Sequence, residues 1–319
     1  MNAVAKQPLV RIGTRASKLA LTQSGIMQRQ IAVALGFSED EADEVCPLVQ
    51  ITTSGDRIQD RRLLEAGGKG LFTKEIEEAL LEGRIDCAIH SLKDVPSVGP
   101  KGLVIAALPE REDPRDAFIS LKVDQFADLP HAAVLGTASL RRQTQSLFFR
   151  PDLDVQVMRG NVDTRLAKLE RGEADAILLA YAGLRRLGLG HLPKELLDPI
   201  ERPPAPGQGC LAIQTRSVDA KADWVAKIHH RPTALAIAAE RGALEALEGS
   251  CRTAIGAHAR LVADDIDIVV EALTPDGKQR FRREASVRVA GEGPARALGL
   301  ELGRSIMEEG GQRLFLAEA

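Results

Sequence analysis

Through the first two-thirds of the chain, short aliphatic or β-branched runs alternate with stretches of helical periodicity. Runs at 9–13, 49–53 and 87–90 read as strands, with helical patterns at 19–35 and 74–81 among them. Beyond Pro109, strand runs at 132–135, 155–158 and 176–180 alternate with helical patterns at 141–149 and 162–171. Such alternation builds three-layer α/β domains whose sheets are parallel at least in part. A chain of 319 residues exceeds one ordinary core, so two or three domains are expected. A short echo between Arg11-Ile-Gly-Thr-Arg-Ala-Ser-Lys-Leu19 and Val134-Leu-Gly-Thr-Ala-Ser-Leu-Arg-Arg142 suits two lobes of similar plan.

The pattern changes after Pro206. A helix is expected at 233–247, closed by Gly249 as a C-cap. A strand at 266–273, a turn at Pro275-Asp276-Gly277, a partner strand at 282–289 and a last helix at 294–308 follow. These make a separate small α+β domain. The Pro-rich segment Arg202-Pro-Pro-Ala-Pro206 reads as a crossover back to the first lobe. The expected division is therefore 1–108 with 205–224 for the first lobe, 109–204 for the second, and 225–319 for the C-terminal domain.

Several classes are disfavoured. A net charge of −3 gives no global attraction to nucleic acid or acidic membranes, and 3% aromatics provide few platforms for stacking bases. The first ten residues contain no apolar core of a signal peptide, and the longest apolar stretch, 174–184, is too short for a membrane span. The four cysteines, Cys46, Cys87, Cys210 and Cys251, form no CxxC pair, which points to reduced thiols in the cytoplasm. The six histidines form no HExxH, so no metal is expected.

The chemistry is in the cations. In five places an apolar run ends in a small polar residue beside Arg or Lys, where a helix should begin. They are Thr14-Arg15-Ala-Ser17-Lys18, His90-Ser91-Leu-Lys93-Asp94 and Thr137-Ala-Ser139-Leu-Arg141-Arg142, then Arg159-Gly-Asn-Val-Asp-Thr-Arg165 and Ala182-Gly-Leu-Arg185-Arg186. A cation in the first helical turn opposes the macrodipole, and a series of them implies that a bound anion supplies the missing charge. The carboxyl ends of parallel strands lie along one edge, where ligands bind, so these residues are expected to line one crevice. Arginine forks and hydroxyls suit carboxylates or phosphates. Solvated cations beside Ser/Thr caps are the plainer account of any single one.

Gly67-Gly68-Lys69-Gly70 is not a phosphate loop, because Gly70 follows the lysine in place of Ser or Thr. The charged, Gly-rich stretch 56–70 reads as a lid, with Lys69 and the nearby Phe72 able to close over a ligand. Its composition equally permits an ordinary surface loop.

Five motifs carry a resemblance to the porphobilinogen deaminase (hydroxymethylbilane synthase) family. They are His90-Ser-Leu-Lys-Asp-Val-Pro96, Gly136-Thr-Ala-Ser-Leu-Arg-Arg142, Arg159-Gly-Asn-Val-Asp-Thr-Arg165, Pro206-Gly-Gln-Gly209 and Leu247-Glu-Gly-Ser-Cys251. The similarity runs from Arg11 to about Gly256, with a weaker tail. It implies two α/β lobes with mixed sheets, like those of periplasmic binding proteins, plus a small α+β domain that presents a cofactor cysteine. It also implies a transferase of tetrapyrrole biosynthesis, leading to haem, chlorophyll or corrin. Such an enzyme deaminates four porphobilinogen molecules and joins them head to tail on a covalent dipyrromethane primer, then releases hydroxymethylbilane by hydrolysis. With no long exposed apolar helix or heptad to ask for a partner, a monomer is expected, and the cysteine pattern places it in the cytoplasm.

By that resemblance Cys251 is the attachment point of the dipyrromethane. Its loop position and the adjacent Arg252 favour a thiolate, although an isolated cysteine is more often an inert small hydrophobe, the reading kept for the other three. Asp94 is the expected catalytic carboxylate, an anion beside the cation that forms when ammonia leaves, with a salt bridge to Lys93 or a charge at a helix N-terminus as its structural alternatives. Each pyrrole carries an acetate and a propionate. The expected holders are Arg15, Ser17, Ser91, Lys93, Thr137 and Ser139, together with Arg141, Arg142, Arg159, Arg165 and Arg186. Gln208 and its flanking glycines would bring backbone close to the cofactor. Ala138 and Ala254 depart from the Ser and Pro frequent in the family, which bears on affinity and loop stiffness.

The residues alone leave two other readings open. A two-lobed binding protein for a small anion accounts for the cations but gives Cys251 and the last domain no purpose. A phosphate-sugar transferase lacks both a phosphate loop and metal carboxylates.

Overall fold

The computed structural model describes residues 8–57, 73–247 and 253–315. The lid stretch with Lys69 and Phe72, the cap at Gly249, and Cys251 with Arg252 lie outside the described residues. In chain order the first elements are β1 (Ile12–Thr14), α1 (Lys18–Ala34), α2 (Ala42–Val45) and β2 (Leu48–Gln50). Next come α3 (Ser54–Arg57), α4 (Lys74–Leu81), β3 (Cys87–Ser91) and β4 (Leu103–Ala107). The chain continues with β5 (Asp116–Ser120), β6 (Val134–Gly136), α5 (Leu140–Phe149), β7 (Asp154–Gln156), α6 (Val162–Glu170), β8 (Ala176–Ala180), α7 (Tyr181–Arg186) and β9 (Glu195–Leu196). It ends with β10 (Leu211–Arg216), α8 (Asp223–Ile228), α9 (Arg231–Ala246), β11 (Ala254–Val262), β12 (Asp265–Leu273), β13 (Arg280–Arg288) and α10 (Glu292–Gly310).

The chain divides into two compact units. Of the described residues, the first comprises 8–57, 73–111 and 210–231; the second comprises 112–209, 232–247 and 253–315. In the first, the sheet order is β2-β1-β3-β10-β4, with β1 parallel to both β2 and β3 and β10 antiparallel to β3 and β4. Side chains alternate across its strands. Ile12, Cys87, Ile89, Leu211 and Ile213 pack with Met27 and Ile31 of α1 and Val225 of α8. Ala88 points the other way, into a cluster with Ile76, Leu80, Ile85 and Leu103. Helix α1 starts at its N-cap Ser17 and stops where Gly36 takes φ +95°. There the Gly36 and Phe37 amides donate to Val33 and Ala32, a Schellman closure.

The second unit contains two sheets. One has the order β7-β6-β8-β5-β9, with β6 parallel to β7 and β8, and β5 antiparallel to β8 and β9. Its plan repeats that of the first unit: a parallel trio with its earliest strand in the middle, then two strands of alternating direction. The sequence echo falls on equivalent corners, β1 into α1 and β6 into α5.

The other sheet is β11-β12-β13, antiparallel throughout. One face is filled by α9 and α10, around Ala239, Ala243, Ile266, Ile268, Val270 and Ile306. Those helices touch so closely that a Cβ at Gly299 would stand 1.9 Å from the Ala239 carbonyl. The turn after β12 is pinned as its sequence suggests, with the Gly277 amide donating to the Thr274 carbonyl at 2.8 Å.

Two expectations change. Strands β4, β5, β9, β10 and β11 were not read from the sequence. β11 escapes because Ala254-Ile-Gly-Ala-His-Ala is poor in β-formers. It is a strand because its small residues fit between neighbours: Ala257 and Ala259 lie against the helices, while a Cβ at Gly256 would be 2.6 Å from the Pro203 carbonyl. The second change concerns Arg185 and Arg186, which stand in the last turn of α7, where cations complement the macrodipole.

Candidate active site

Because β1 and β3 are parallel, their carboxyl ends share one edge of the first sheet, and the residues that follow them gather there. After β1, Thr14 is buried and accepts a hydrogen bond from Ser24 at 2.7 Å; Ser17 caps α1, accepting from the Ala20 amide at 3.3 Å. After β3, the Ser91 hydroxyl donates to Gln23 of α1 at 3.1 Å. Buried Leu92 then anchors a 3-10 turn, Leu92–Asp94, and its amide donates to the Cys210 carbonyl at 3.0 Å. That turn leaves Lys93 and Asp94 exposed. No side chain among the described residues bonds the Asp94 carboxylate, so the alternative of a salt bridge to Lys93 is not what the structure forms.

Behind the turn lies His90, buried, its Nε2 donating to Gln214 Oε1 at 3.0 Å. Burial lowers its pKa to about 4, aided by the charge of half-buried Arg15 and opposed by the Gln214 hydrogen bond. The ring is therefore neutral near pH 7. Burial also pushes the Cys46 thiol up to about 11, and that of Cys87 higher still.

In the second unit, the same edge receives the ends of β6, β7 and β8. Ser139 caps α5 by accepting from the Arg142 amide at 3.4 Å, and its own amide donates to buried Thr137 Oγ1 at 3.2 Å. Asn161 caps α6, accepting from the Thr164 amide at 2.9 Å. Gly160, at φ +121°, carries the carbonyl that receives Arg165 Nε at 2.8 Å. Arg159 is half-buried at the start of that loop. Arg186 Nη2 donates to the Gly209 carbonyl at 2.7 Å.

Arg141 and Arg142 differ from the expectation of open cationic forks. Both are buried on Asp116, the first residue of antiparallel β5, which its pairing with Ala180 brings to this edge. Arg142 Nη2 donates to Asp116 Oδ1 at 2.7 Å and its Nη1 to the Leu178 carbonyl at 2.9 Å. Arg141 Nη1 donates to Asp116 Oδ2 at 2.7 Å. Gln208 Nε2 adds a bond to Asp116 Oδ1 at 2.8 Å and another to the Pro114 carbonyl at 2.7 Å. Burial alone would raise the Asp116 carboxyl, but the charges and hydrogen bonds of the two arginines hold it far below the usual range. Asp116 is thus the counterion of the α5 cations, and sequence reasoning missed it. The available signal was an acid opening the aliphatic run after Pro114-Arg115. Arg142 and Gln208 act here as builders of the corner. Arg141 keeps a buried Nε that has no hydrogen-bond partner.

Among the described residues, no group of three His, Cys, Asp or Glu is placed to hold a metal, and no helix is long and apolar enough to cross a membrane. A surface cavity of about 500 Å³ lies elsewhere in the second unit, lined by Asp198, Ile200, Glu201, Arg280, Arg282 and Glu284. It contains none of the residues expected from the sequence.

Fold and corners together define an α/β protein with arginines and capping hydroxyls after its parallel strands and an appended antiparallel sheet. Comparison with known proteins makes this specific. The family model "Porphobilinogen deaminase, dipyromethane cofactor binding domain" matches residues 10–223, and "Porphobilinogen deaminase, C-terminal domain" matches 234–308. The porphobilinogen deaminase of Phenylobacterium zucineum (strain HLK1) is 64% identical over 317 residues, covering 97% of this chain and 99% of the relative. That of Caulobacter sp. (strain K31) is 63% identical over 319 residues, covering 99% and 100%. Among solved structures, the methionine-binding protein MetQ aligns with TM-score 0.42 and 13% identity, over 69% of this chain and 87% of that one. The chain belongs to the porphobilinogen deaminase family, a family of transferases, and carries its dipyrromethane-binding domain.

The residues present fit that group. A dipyrromethane offers acetate and propionate carboxylates, which need donors in a low-dielectric corner. The orphaned Nε of Arg141, with Thr137 and Ser139 beside it in the chain, supplies donors of the required kind.

Proposed function

We propose that this chain carries out the family reaction, the stepwise deamination and head-to-tail condensation of four porphobilinogen molecules into hydroxymethylbilane, with Asp94 as its catalytic carboxylate and Cys251 as its attachment point. The observation that carries the proposal is the exposed Asp94 carboxylate, unbonded among the described residues, on a turn fixed by buried Leu92 at the end of a parallel strand. A carboxylate held there accepts hydrogen bonds from pyrrole N–H groups. It stabilises the positive charge that develops on the substrate as ammonia leaves. The leaving amine is already protonated near neutral pH, since alkylamines titrate at about 10, so an anion is needed more than an acid. After each carbon–carbon bond forms, Asp94 accepts the proton lost from the pyrrole carbon.

The dipyrromethane, joined through a thioether to Cys251, supplies the nucleophilic pyrrole carbon on which the product grows. Arg15, Ser17, Ser91 and Lys93 hold carboxylates in the first unit. Thr137, Ser139, Arg141, Arg159, Arg165 and Arg186 do so in the second, with Arg142 and Gln208 supporting them. Lys69 and Phe72 cover the pyrroles. In this reading, 1–108 with 205–224 and 109–204 are the two lobes, and 225–319 presents the cysteine. The enzyme works on porphobilinogen as a cytoplasmic monomer, without nucleic acid or membrane.

The deciding experiment is the intact mass of the purified protein beside its Cys251→Ala variant. The expected result is an excess on the wild type equal to two deaminated porphobilinogen units and no excess on the variant. An unmodified wild type, made in cells that produce porphobilinogen, would overturn the proposal in favour of a non-enzymatic anion-binding protein.

A further inference from the structure

The cationic corner of the second unit does not end at Asp116. Arg141 Nη1 also donates to Gln145 Oε1 at 2.8 Å and to the Pro203 carbonyl at 3.3 Å. Gln145 sits one turn along α5, on the same face. Its Nε2 donates onward to Glu271 Oε1 of β12 at 2.6 Å, and to the Pro203 carbonyl at 2.8 Å. A continuous line of buried side chains, Asp116–Arg141–Gln145–Glu271, therefore runs from the strand ends to the antiparallel sheet. Glu271 is paired in register with Gly256 of β11, the strand that begins three residues after Cys251 in the sequence.

Two features show that this line orients as well as packs. Only one orientation of the Gln145 amide serves both neighbours, its oxygen toward the Arg141 donor and its nitrogen toward the Glu271 acceptor. And Glu271 is an expensive way to fasten a sheet. Its Oε2 lacks a hydrogen-bond partner, with Arg282 Nη1 at 3.7 Å and Arg280 Nε at 3.9 Å as its ionic neighbours. Burial raises its pKa despite the Gln145 hydrogen bond and the charges of Arg280, Arg282 and Arg141. A buried carboxylate carries a desolvation cost that packing the sheet alone does not require. The polar line instead fixes the plane of the Arg141 guanidinium, with three acceptors on one nitrogen, and so keeps its buried Nε unpartnered and directed.

We propose that Gln145 and Glu271 are positioning residues, which hold Arg141 in the orientation that presents its Nε–H to a ligand carboxylate and tie that orientation to the strand leading from Cys251. The inference rests on the reading of Arg141 as a carboxylate holder given above.

The test compares Glu271→Leu, Glu271→Gln, Gln145→Glu and the exchanged pair Gln145→Glu/Glu271→Gln. Each is measured for kcat and KM on porphobilinogen, for melting temperature, and for the NMR signal of the Arg141 Nε–H, assigned by its loss in Arg141→Lys. Glu271→Leu removes the acceptor. It is expected to lower kcat/KM about tenfold or more at a temperature well below its own melting temperature, and to shift or broaden the Nε–H signal. Glu271→Gln keeps an acceptor and should stay within about threefold of wild type. Gln145→Glu opposes two carboxylates and should lose activity, which the exchanged pair recovers. Wild-type kcat/KM and an unmoved signal in Glu271→Leu would overturn the inference, as would activity losses that merely follow melting temperature. A wild type that leaves porphobilinogen unconsumed would instead overturn the proposed reaction, while the Nε–H signal would still report on the relay.

Discussion

Asp116 illustrates how a single residue converts an awkward pattern into a stable one. Cations in the first turn of α5 oppose the helix dipole, and the sequence shows that conflict plainly at Arg141 and Arg142. What resolves it is a carboxylate 25 and 26 positions earlier in the chain. No local pattern links those positions; only the antiparallel placement of β5 against β8 brings Asp116 to the ends of the parallel strands. The sequence pointed to an anion beside these cations, and the structure supplies one as an internal acid, with Arg141 Nε left unpartnered. Asp116→Ala leaves two buried guanidinium groups without their main counterion. We expect it to destabilise the chain by about 3–5 kcal/mol, read as a shift in urea midpoint near neutral pH. A change below about 1 kcal/mol would mean that Gln208 and backbone carbonyls alone satisfy the pair.

At the scale of elements, legibility follows side-chain chemistry. Helices α1, α4 and α6 and strand β8 match their sequence patterns closely because their apolar patterns are plain there, with Ser17 and Asn161 also capping α1 and α6. Strands β10 and β11 were invisible for opposite reasons. Leu211-Ala-Ile-Gln-Thr mixes buried polar residues into a central strand, and β11 is built from alanine and glycine. The polar residue Gln214 in β10 also has a clear role, since it receives the His90 ring and donates to Glu77 of α4 at 3.2 Å. This arrangement gives β3 a pH dependence of definite sign. His90 titrates near 6.5 when exposed and near 4 in the fold, so between those values the unfolded chain binds more protons. Stability is full above that window and declines as pH falls through it, by roughly 3 kcal/mol at most. Urea unfolding at the two ends of the window should show the decline in the wild type and a clearly smaller one in His90→Gln, which keeps a donor for Gln214. Equal slopes would place the titrating group elsewhere.

The molecule as a whole consists of two units, each with its own apolar cores, and this predicts how it melts. The first unit closes around Ile12, Ile31, Ile89 and Ile213, while the second joins its two sheets through Gln145, Glu271 and the Pro203 carbonyl. Scanning calorimetry should therefore give a van't Hoff enthalpy below the calorimetric one, with the two sheets of the second unit melting together. Equal enthalpies would show one cooperative block. The repeated strand order of the two five-stranded sheets was faintly legible as the short sequence echo, because it falls on the one corner where both sheets need the same glycine, threonine and capping serine. The appended sheet was recognised by its turn at Pro275-Asp276-Gly277, while its first strand was not. Strand order also sets a timetable on the ribosome. The sheet of β5 to β9 has all its strands once residue 196 has been made, whereas the sheet that starts at residue 12 waits for β10, at 211–216, to fill the place between β3 and β4. Of the two five-stranded sheets, the one begun first is thus completed second. A nascent chain released between residues 197 and 209 would carry a complete later sheet and an open earlier one, with the Asp94 turn deprived of the Cys210 carbonyl that anchors it.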